Sequence, residues 1–313
     1  MKIGLIVNPR SRKNARDPGA AARLEAQLGS AGMLRQTRTR DEVTTIAREF
    51  RDAGVDVLAL AGGDGTTHVT LTGFLREYGE TRLPAIALLR GGTMNTVANS
   101  IGVPRGNPES LLARLLRMRE RGMAPAATER HAILLGDGVR EHAGFLFGAG
   151  VVHGFLAEYY RGGQPSPLVA VQTLVRGVAS AAIGGETIRR MARPFRGSVV
   201  VDGDTWPCRD YLTVTGGAVD QIGLGFRPFP RASERPGSFQ LLGIHASPFG
   251  FSLELPQVFR GRPLSPDTAY DALTAHARLE PVDSPLAYMI DGDLHSCDGP
   301  LDVRSGPAIR LLV

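Results

Sequence analysis

A chain of 313 residues with 42% hydrophobic and 21% charged side chains is long enough for two cores of ordinary size, which excludes a disordered or low-complexity protein. The 36 basic and 31 acidic residues give a formal net charge of +5, but residues 1–40 alone hold nine Lys or Arg against two acids, a local net of +7; this suits an anionic ligand or an anionic membrane surface as well as it suits solvated arginines, and no nucleic-acid partner is expected. The two cysteines, Cys208 and Cys297, exclude a disulfide framework, and their spacing suggests no metal site.

Ile3 to Val7 reads as a buried strand, entered without the apolar h-region of a signal peptide. Ala21 to Leu28 reads as a helix, and Asp41 to Ala53 as a second, with Val43, Ile46, Ala47 and Phe50 at i, i+3, i+4 and i+7 and Asp41 as its N-cap. A strand over 55–60 runs into a glycine turn. Leu71, Phe74, Leu75 and Tyr78 then repeat the helical spacing, and Pro84 to Leu89 supplies another apolar strand. This βαβα order predicts a doubly wound parallel sheet. Leu111, Leu112, Leu115 and Leu116 form the inner face of a further helix, with Arg114, Arg117 and Arg121 on its solvated side.

Pro125 marks the expected boundary between an α/β nucleotide domain, residues 1–125, and a β-rich, sandwich-like domain, residues 126–313. Strand-like runs follow at His131–Leu135, Ser198–Val201, Tyr211–Thr215, Phe239–Ile244 and Ala308–Val313, the last free to return to the first domain. Asp-Gly pairs at 137, 202 and 291 are hairpin signals. A helical insertion is expected at about 154–193. Its apolar part, Leu168 to Ile183, is too short to span a bilayer and is interrupted by Gln172 and Arg176. The expected location is therefore cytoplasmic, with peripheral contact at the inner membrane face where basic residues meet anionic lipid.

The turn after strand 55–60 reads AGGDGTTHV, residues 61–69. Glycines let a backbone approach phosphate oxygens, and a loop opening into a helix at the carboxyl edge of a parallel sheet presents free N–H groups to anions. Asp64 cannot itself favour a bare phosphate. Either a proton on Asp64 or Mg²⁺ between the carboxylate and a nucleotide phosphate removes that conflict, and Mg²⁺ suits such a site; a plain helix-capping turn is the alternative. Two more polar exits leave the same sheet, Asn8-Pro9-Arg10-Ser11-Arg12-Lys13-Asn14 and Arg90-Gly91-Gly92-Thr93-Met94-Asn95. Neither a dinucleotide fingerprint nor a Walker A sequence is present.

In order and spacing, NPRSRKN, AGGDGTTHV and LLRGGTMNTVANSIGVP resemble the diacylglycerol kinase catalytic-domain family, which includes bacterial lipid kinases and the sphingosine and ceramide kinases. The resemblance is strong through residues 1–104 and looser beyond. It implies an ATP-binding α/β domain, a β-rich lipid-binding domain and an active site in the cleft between them. It assigns Asn8 and Lys13 to the first phosphate-side loop, Thr37 to nucleotide contact, Gly62, Gly63, Asp64, Gly65 and Thr66 to the diphosphate loop, and Gly92, Thr93 and Asn95 to the third loop. The segment YMIDGDLHS resembles the family's Asp-Gly-Glu, which makes Asp293 the proton acceptor, one methylene shorter than the usual Glu, and Asp291 a metal or positioning ligand. Without the resemblance, Asp291-Gly292 reads as a hairpin turn.

Three departures stand out. Arg12 replaces a glycine, Thr96 replaces an acidic residue after Asn95, and Pro236-Gly237 replaces an Asp-Gly pair tied to a structural Mg²⁺. The expected chemistry is phosphoryl transfer from ATP to a lipid hydroxyl, with Asp64 and Asp291 on the Mg²⁺ side, Lys13 and the glycine N–H groups on phosphates, and Asp293 as general base. The basic end of the insertion, Arg189, Arg190, Arg193 and Arg196, suits anionic lipid or a solvated tail equally. A soluble-metabolite kinase of the NAD kinase type and a catalytically weak binding protein remain as alternatives, and a homodimer is left open.

Overall fold

A computed structural model describes residues 1–161, 166–183, 185 and 193–313. The chain divides into two compact units, Met1–Arg130 with Ala308–Val313, and His131–Pro307. In chain order the elements of the first are β1 (Ile3–Val7), α1 (Arg12–Ala15), α2 (Ala20–Leu28), β2 (Gly32–Gln36), α3 (Asp41–Asp52), β3 (Val57–Ala61), α4 (Asp64–Tyr78), β4 (Ala85–Leu88), α5 (Thr96–Ser100) and α6 (Pro108–Glu120). Next come β5 (Ala127–Gly136), β6 (Glu141–Gly144), β7 (Leu146–Gly150), α7 (Val151–Arg161), α8 (Pro167–Ile183), β8 (Phe195–Val201), β9 (Asp204–Thr205), β10 (Asp210–Tyr211), β11 (Thr213–Gly217) and β12 (Phe239–Ile244). The chain ends with α9 (Pro248–Phe259), β13 (Ala269–Thr274), β14 (His276–Pro281), β15 (Leu286–Ile290), β16 (Asp293–Cys297) and β17 (Leu301–Leu312).

The first unit is a parallel sheet in the order β2-β1-β3-β4, extended beyond β4 by the end of β17 through Leu311↔Ile86. Every residue of β1 and β3 is buried, the continuous apolar run expected of strands covered on both faces. Helix α3 turns Val43, Ile46, Ala47 and Phe50 inward, and α4 turns Leu71, Phe74 and Tyr78. Phe50 meets Phe74 edge-on at 6.1 Å. It also lies against β1 at Gly4, where a Cβ would come within 2.4 Å of the Phe50 ring. Full burial of such side chains contributes about 1.5–3 kcal/mol each.

Two local readings are corrected, and two elements go unread in the sequence. Asp41 is not the N-cap of α3 but its first residue. The start is organised upstream, where Thr39 Oγ1 accepts the Glu42 N–H at 3.4 Å and the Glu42 carboxylate accepts the Arg38 N–H at 2.7 Å. Arg114 is half-buried and donates to the Val313 carbonyl at 3.5 Å, so only Arg117 and Arg121 of its row are fully exposed. These are helix α9 and the edge strand β2: the helical spacing of Phe249 and Leu253 is masked by Pro248 and Pro256, which read as breakers, and β2 shows no clean alternation.

The second unit is antiparallel. One sheet runs β13-β12-β11-β7-β15-β16. Strands β10, β8, β14 and the first part of β17 pair in that order, with β9 on β8 and the hairpin β5–β6. The helical insertion comprises α7 and α8. Arg189 and Arg190 lie outside the described residues; Arg193 and Arg196 are exposed, with Arg196 Nε 3.2 Å from Asp283. Among the described residues no helix is long and apolar enough to cross a membrane.

Candidate functional site

The register of the parallel sheet brings the loops to one edge. Val7 is opposite both Gln36 and Ala61, and Leu60 is opposite Leu88. Asn8, Thr37, Gly62 and the Leu89-Arg90 exit therefore leave the carboxyl ends of adjacent strands together. Strand order reverses between β1 and β3, and the crevice at such a switch point is where open α/β sheets bind ligands.

The first loop is tied to the second. Asn8 Nδ2 donates to Thr66 Oγ1 at 2.9 Å, and Asn8 Oδ1 accepts the Arg10 N–H at 2.9 Å. Asn14, which sequence reasoning passed over, is buried, and its Nδ2 donates to the carbonyls of Asn8 and Ala61 at 2.8 and 2.9 Å. Thr37, also buried, joins this edge through its N–H on the Val7 carbonyl at 3.0 Å. Lys13 Nζ donates to the Arg90 carbonyl at 2.8 Å. Partial burial, reinforced by the Arg90 charge and opposed by Glu109, holds its ammonium below the usual lysine range.

Glycines 62, 63, 91 and 92 serve the protein before any ligand. A Cβ on Gly92 would meet Gly63 Cα at 2.4 Å, one on Gly91 would meet the Gly62 nitrogen at 2.8 Å, and one on Gly62 would strike Thr66 at 2.4 Å. The second and third loops are thus packed backbone to backbone. Asn95, in left-handed backbone at φ 49°, closes the third loop by accepting the Gly92 N–H at 3.1 Å and donating to the Gly92 carbonyl at 3.0 Å. Thr93 is half-buried between them in sequence.

Asp64 opens the 15-residue α4, whose N-cap is Gly63 and which has no side-chain cap. Its carboxylate turns instead to α5, accepting the Thr96 N–H at 3.0 Å and the Val97 N–H at 3.2 Å. The Asp64 N–H is met by its own carboxylate, which leaves the N–H groups of Gly65 and Thr66 at the start of α4 to an incoming anion, whereas α6 is closed by the Asn107–Ser110 capping box. Burial raises the Asp64 pKa above the usual carboxylate value, and the two amides partly offset that rise. The Thr96 hydroxyl and the Asp64 N–H also donate to this carboxylate, which is half-buried at the loop surface; a Mg²⁺ ion held here would take the place of one of these donors.

Arg90 is the second residue that the sequence did not disclose. It is 8% exposed, in left-handed backbone at φ 53°. Its Nη1 donates to Asn99 Oδ1 at 2.6 Å, and its Nη2 donates to the carbonyls of Ala98 and Val103. The guanidinium thus anchors the C-terminal end of α5 beneath the third loop.

In the second unit, Asp291 and Gly292 have φ 45° and 89° and join β15 to β16, the pattern of a tight Asp-Gly hairpin. The Asp291 carboxylate is 3% exposed and accepts the N–H groups of Phe145 and Leu146 at 3.1 and 2.9 Å. A Cβ on Gly144 would come within 2.6 Å of Asp291 Oδ2. Through these two amides the carboxylate fastens the hairpin to β7. Asp293, the first residue of β16, is half-buried, and His295 shares its face of the strand. The His295 ring lies 4.3 Å from that of His142 and stacks on Tyr288 at 5.5 Å. Near Pro236-Gly237, Arg231 reaches Asp271 at 3.1 Å and Gln240 Nε2 donates to Asp271 at 2.9 Å, so the nearby carboxylate is already met by a guanidinium and an amide.

Comparison with known proteins agrees with this architecture. Residues 2–126 match the diacylglycerol kinase catalytic domain. A probable YegS-like lipid kinase of Chromohalobacter salexigens is 31% identical over 107 residues, 34% of each chain, and the probable lipid kinase YegS of Shigella flexneri is 30% identical over 107 residues, 34% of this chain and 35% of that one. The matched segment therefore spans about a third of those relatives' length. A solved putative diacylglycerol kinase from Bacillus anthracis superposes with a TM-score of 0.71 at 17% identity, covering 99% of this chain and 96% of that one. A yeast NADH kinase solved with NADH gives 0.52 at 11% identity over 100% of this chain and 83% of that one. Both likenesses concern the fold.

Proposed function

We propose that this protein, whose residues 2–126 belong to the diacylglycerol kinase catalytic-domain family, is an ATP-dependent lipid kinase that transfers the γ-phosphoryl group to the hydroxyl of a diacylglycerol-like or sphingoid lipid. The observation that carries the reading is the uncapped start of α4. Its GGDG loop sits at a topological switch point, and the Asp64 carboxylate, taking its own N–H and those of Thr96 and Val97, leaves the N–H groups of Gly65 and Thr66 for an anion.

In this reading the N–H groups of Gly63, Gly65 and Thr66 and the third-loop N–H groups at Thr93 hold phosphate oxygens. Asn8 and Asn95 keep the loops in register, Thr37 borders the nucleotide, and Lys13 adds positive charge at the rim. Asp64 would hold Mg²⁺, which when bound neutralises the nucleotide phosphates. Asp293 takes the proton from the acceptor hydroxyl, and Asp291 positions the turn that carries it. Asp293 on an antiparallel strand is a rigid placement for a base.

The test is incubation of the purified protein with labelled ATP, Mg²⁺ and a total lipid extract, with NAD in a parallel reaction. A labelled lipid supports the reading. Labelled NADP in its place shifts the activity to a soluble acceptor, and ATP binding with no transfer to either reduces the protein to a binding module.

A further inference from the structure

We propose that the outward face of α9, continued by the outward face of α8, is the surface by which the protein docks on an anionic bilayer. The choice of a bilayer rests on the lipid-kinase reading, because an insoluble acceptor has to be met at a membrane. On α9, Phe249 and Leu253 are 51% and 66% exposed; with exposed Pro256 and the following Arg260 they fall at i, i+4, i+7 and i+11. That spacing makes one stripe. A stripe of this kind ordinarily faces a core, and here it faces outward. On α8, exposed Leu168, Val171, Val175 and Ala179 fall at i, i+3, i+7 and i+11.

The two helices pack on one another, and each carries its exposed apolar side chains as a row along one face rather than scattered singly. Beside them lies an open recess of about 310 Å³ lined by Phe226, Ser252, Leu255, Pro256, Phe259 and Arg260. Phe259, itself 55% exposed, meets Phe226 edge-on at 5.5 Å across it.

Charge selects the occupant. Arg176, Arg260 and Arg262 are exposed and make no ion pair among the described residues. Helix α8 contains no acid, and the one acid of α9, Glu254, is half-buried and accepts from Gln257 Nε2 at 3.1 Å. A two-fold dimer through this face would set the patch against itself, arginines near arginines with no exposed carboxylate to receive them. Anionic headgroups supply the missing charge and acyl chains the apolar partner, the pattern of interfacial helices.

The experiment uses the full chain without ATP, sedimented with vesicles of phosphatidylcholine alone or mixed equally with phosphatidylglycerol. Phe249→Ser with Leu253→Ser should weaken partitioning into both by at least about 10-fold, since two large apolar side chains are withdrawn. Arg260→Gln with Arg262→Gln should weaken binding to the anionic vesicles about 10- to 30-fold and remove the preference for them. All four positions are exposed, so unfolding temperatures should stay at the wild-type value, as should transfer to a short-chain, water-soluble diacylglycerol. Unchanged partitioning in either double variant overturns the proposal. So does conversion of a dimer to a monomer by light scattering with vesicle binding intact. Absence of transfer to the soluble acceptor by the wild type would sink the kinase reading and leave the docking result standing.

Discussion

Gly92→Ala adds one methyl group where two loops touch. The new Cβ would sit 2.4 Å from Gly63 Cα and 3.2 Å from both the Gly63 nitrogen and Asn95 Oδ1. An ordinary carbon contact needs about 3.5–4.0 Å, so the two backbones must separate by more than about 1 Å. Gly63 cannot rotate away, because its opposing atoms are main chain, and the Asn95 side chain is tied to Gly92 by bonds of 3.1 and 3.0 Å. Overpacking of this kind costs about 1–3 kcal/mol. For about 2 kcal/mol in a chain of this size, the melting temperature should fall by about 3 °C. The same displacement moves the phosphate-facing N–H groups, and ATP affinity should drop at least about 10-fold, equivalent to about 1.4 kcal/mol. Calorimetric titration with ATP and Mg²⁺, alongside thermal melts, reads both effects. Gly136→Ala is the control: nothing lies within 4 Å of its Cβ position, and a change under about 0.5 kcal/mol is expected. Wild-type melting and ATP affinity in Gly92→Ala would refute the claim that loop contact sets the binding geometry.

Asp64→Asn should abolish transfer, and its stability profile should differ from that of the wild type: the raised Asp64 pKa means the folded state holds this proton more tightly, so the wild type loses stability as pH rises from about 3.8 through the raised value, a slope absent from the Asn variant in urea titrations at stepped pH. Asp293→Asn should lower kcat by about 10²-fold with ATP affinity retained, and Asp293→Glu should keep much of the activity; steady-state kinetics showing wild-type turnover in both would leave Asp293 as a hairpin residue only. Asp291→Ala strands two buried N–H groups and should destabilise the protein by about 1–3 kcal/mol per orphaned donor with ATP binding unchanged, as read by melts and titration.

The parallel sheet was legible because its strands are buried on both faces. Ile3–Val7 and Val57–Ala61 are unbroken apolar runs, and no other soluble context requires that as directly. Strand β2, GMLRQ, lies at the sheet edge with its last two residues exposed, so it carries neither an apolar run nor a clean alternation. The prolines that hid α9 occupy positions a helix tolerates or survives, Pro248 in the first turn and Pro256 near the end. Among site residues, the glycine loops could be read because glycine has few other reasons to cluster after a strand. Arg90 could not. An arginine before Gly-Gly looks solvated, and its burial depends on a left-handed φ of 53° that turns the guanidinium toward Val103, 13 residues on. The Asp291-Gly292 turn was legible as a hairpin, but the destination of its carboxylate, the N–H groups of Phe145 and Leu146, is 146 and 145 residues distant.

Asp64 shows why the motif needs both its glycines and its acid. A carboxylate at the first position of a helix would ordinarily stabilise that helix by capping its own N–H groups, and doing so would block the anion site. Here the acid reaches across to the five-residue α5, too short to persist unaided, and fixes it through Thr96 and Val97. Arg90 secures the far end of the same helix. The third loop is therefore held between a carboxylate that belongs to the second loop and a guanidinium that belongs to its own entry strand. Loss of either group should loosen Gly92 and Asn95 together, so the effects of Asp64→Asn and Arg90→Met on ATP affinity should be less than additive. Additive losses would mean that the two groups act on separate parts of the site.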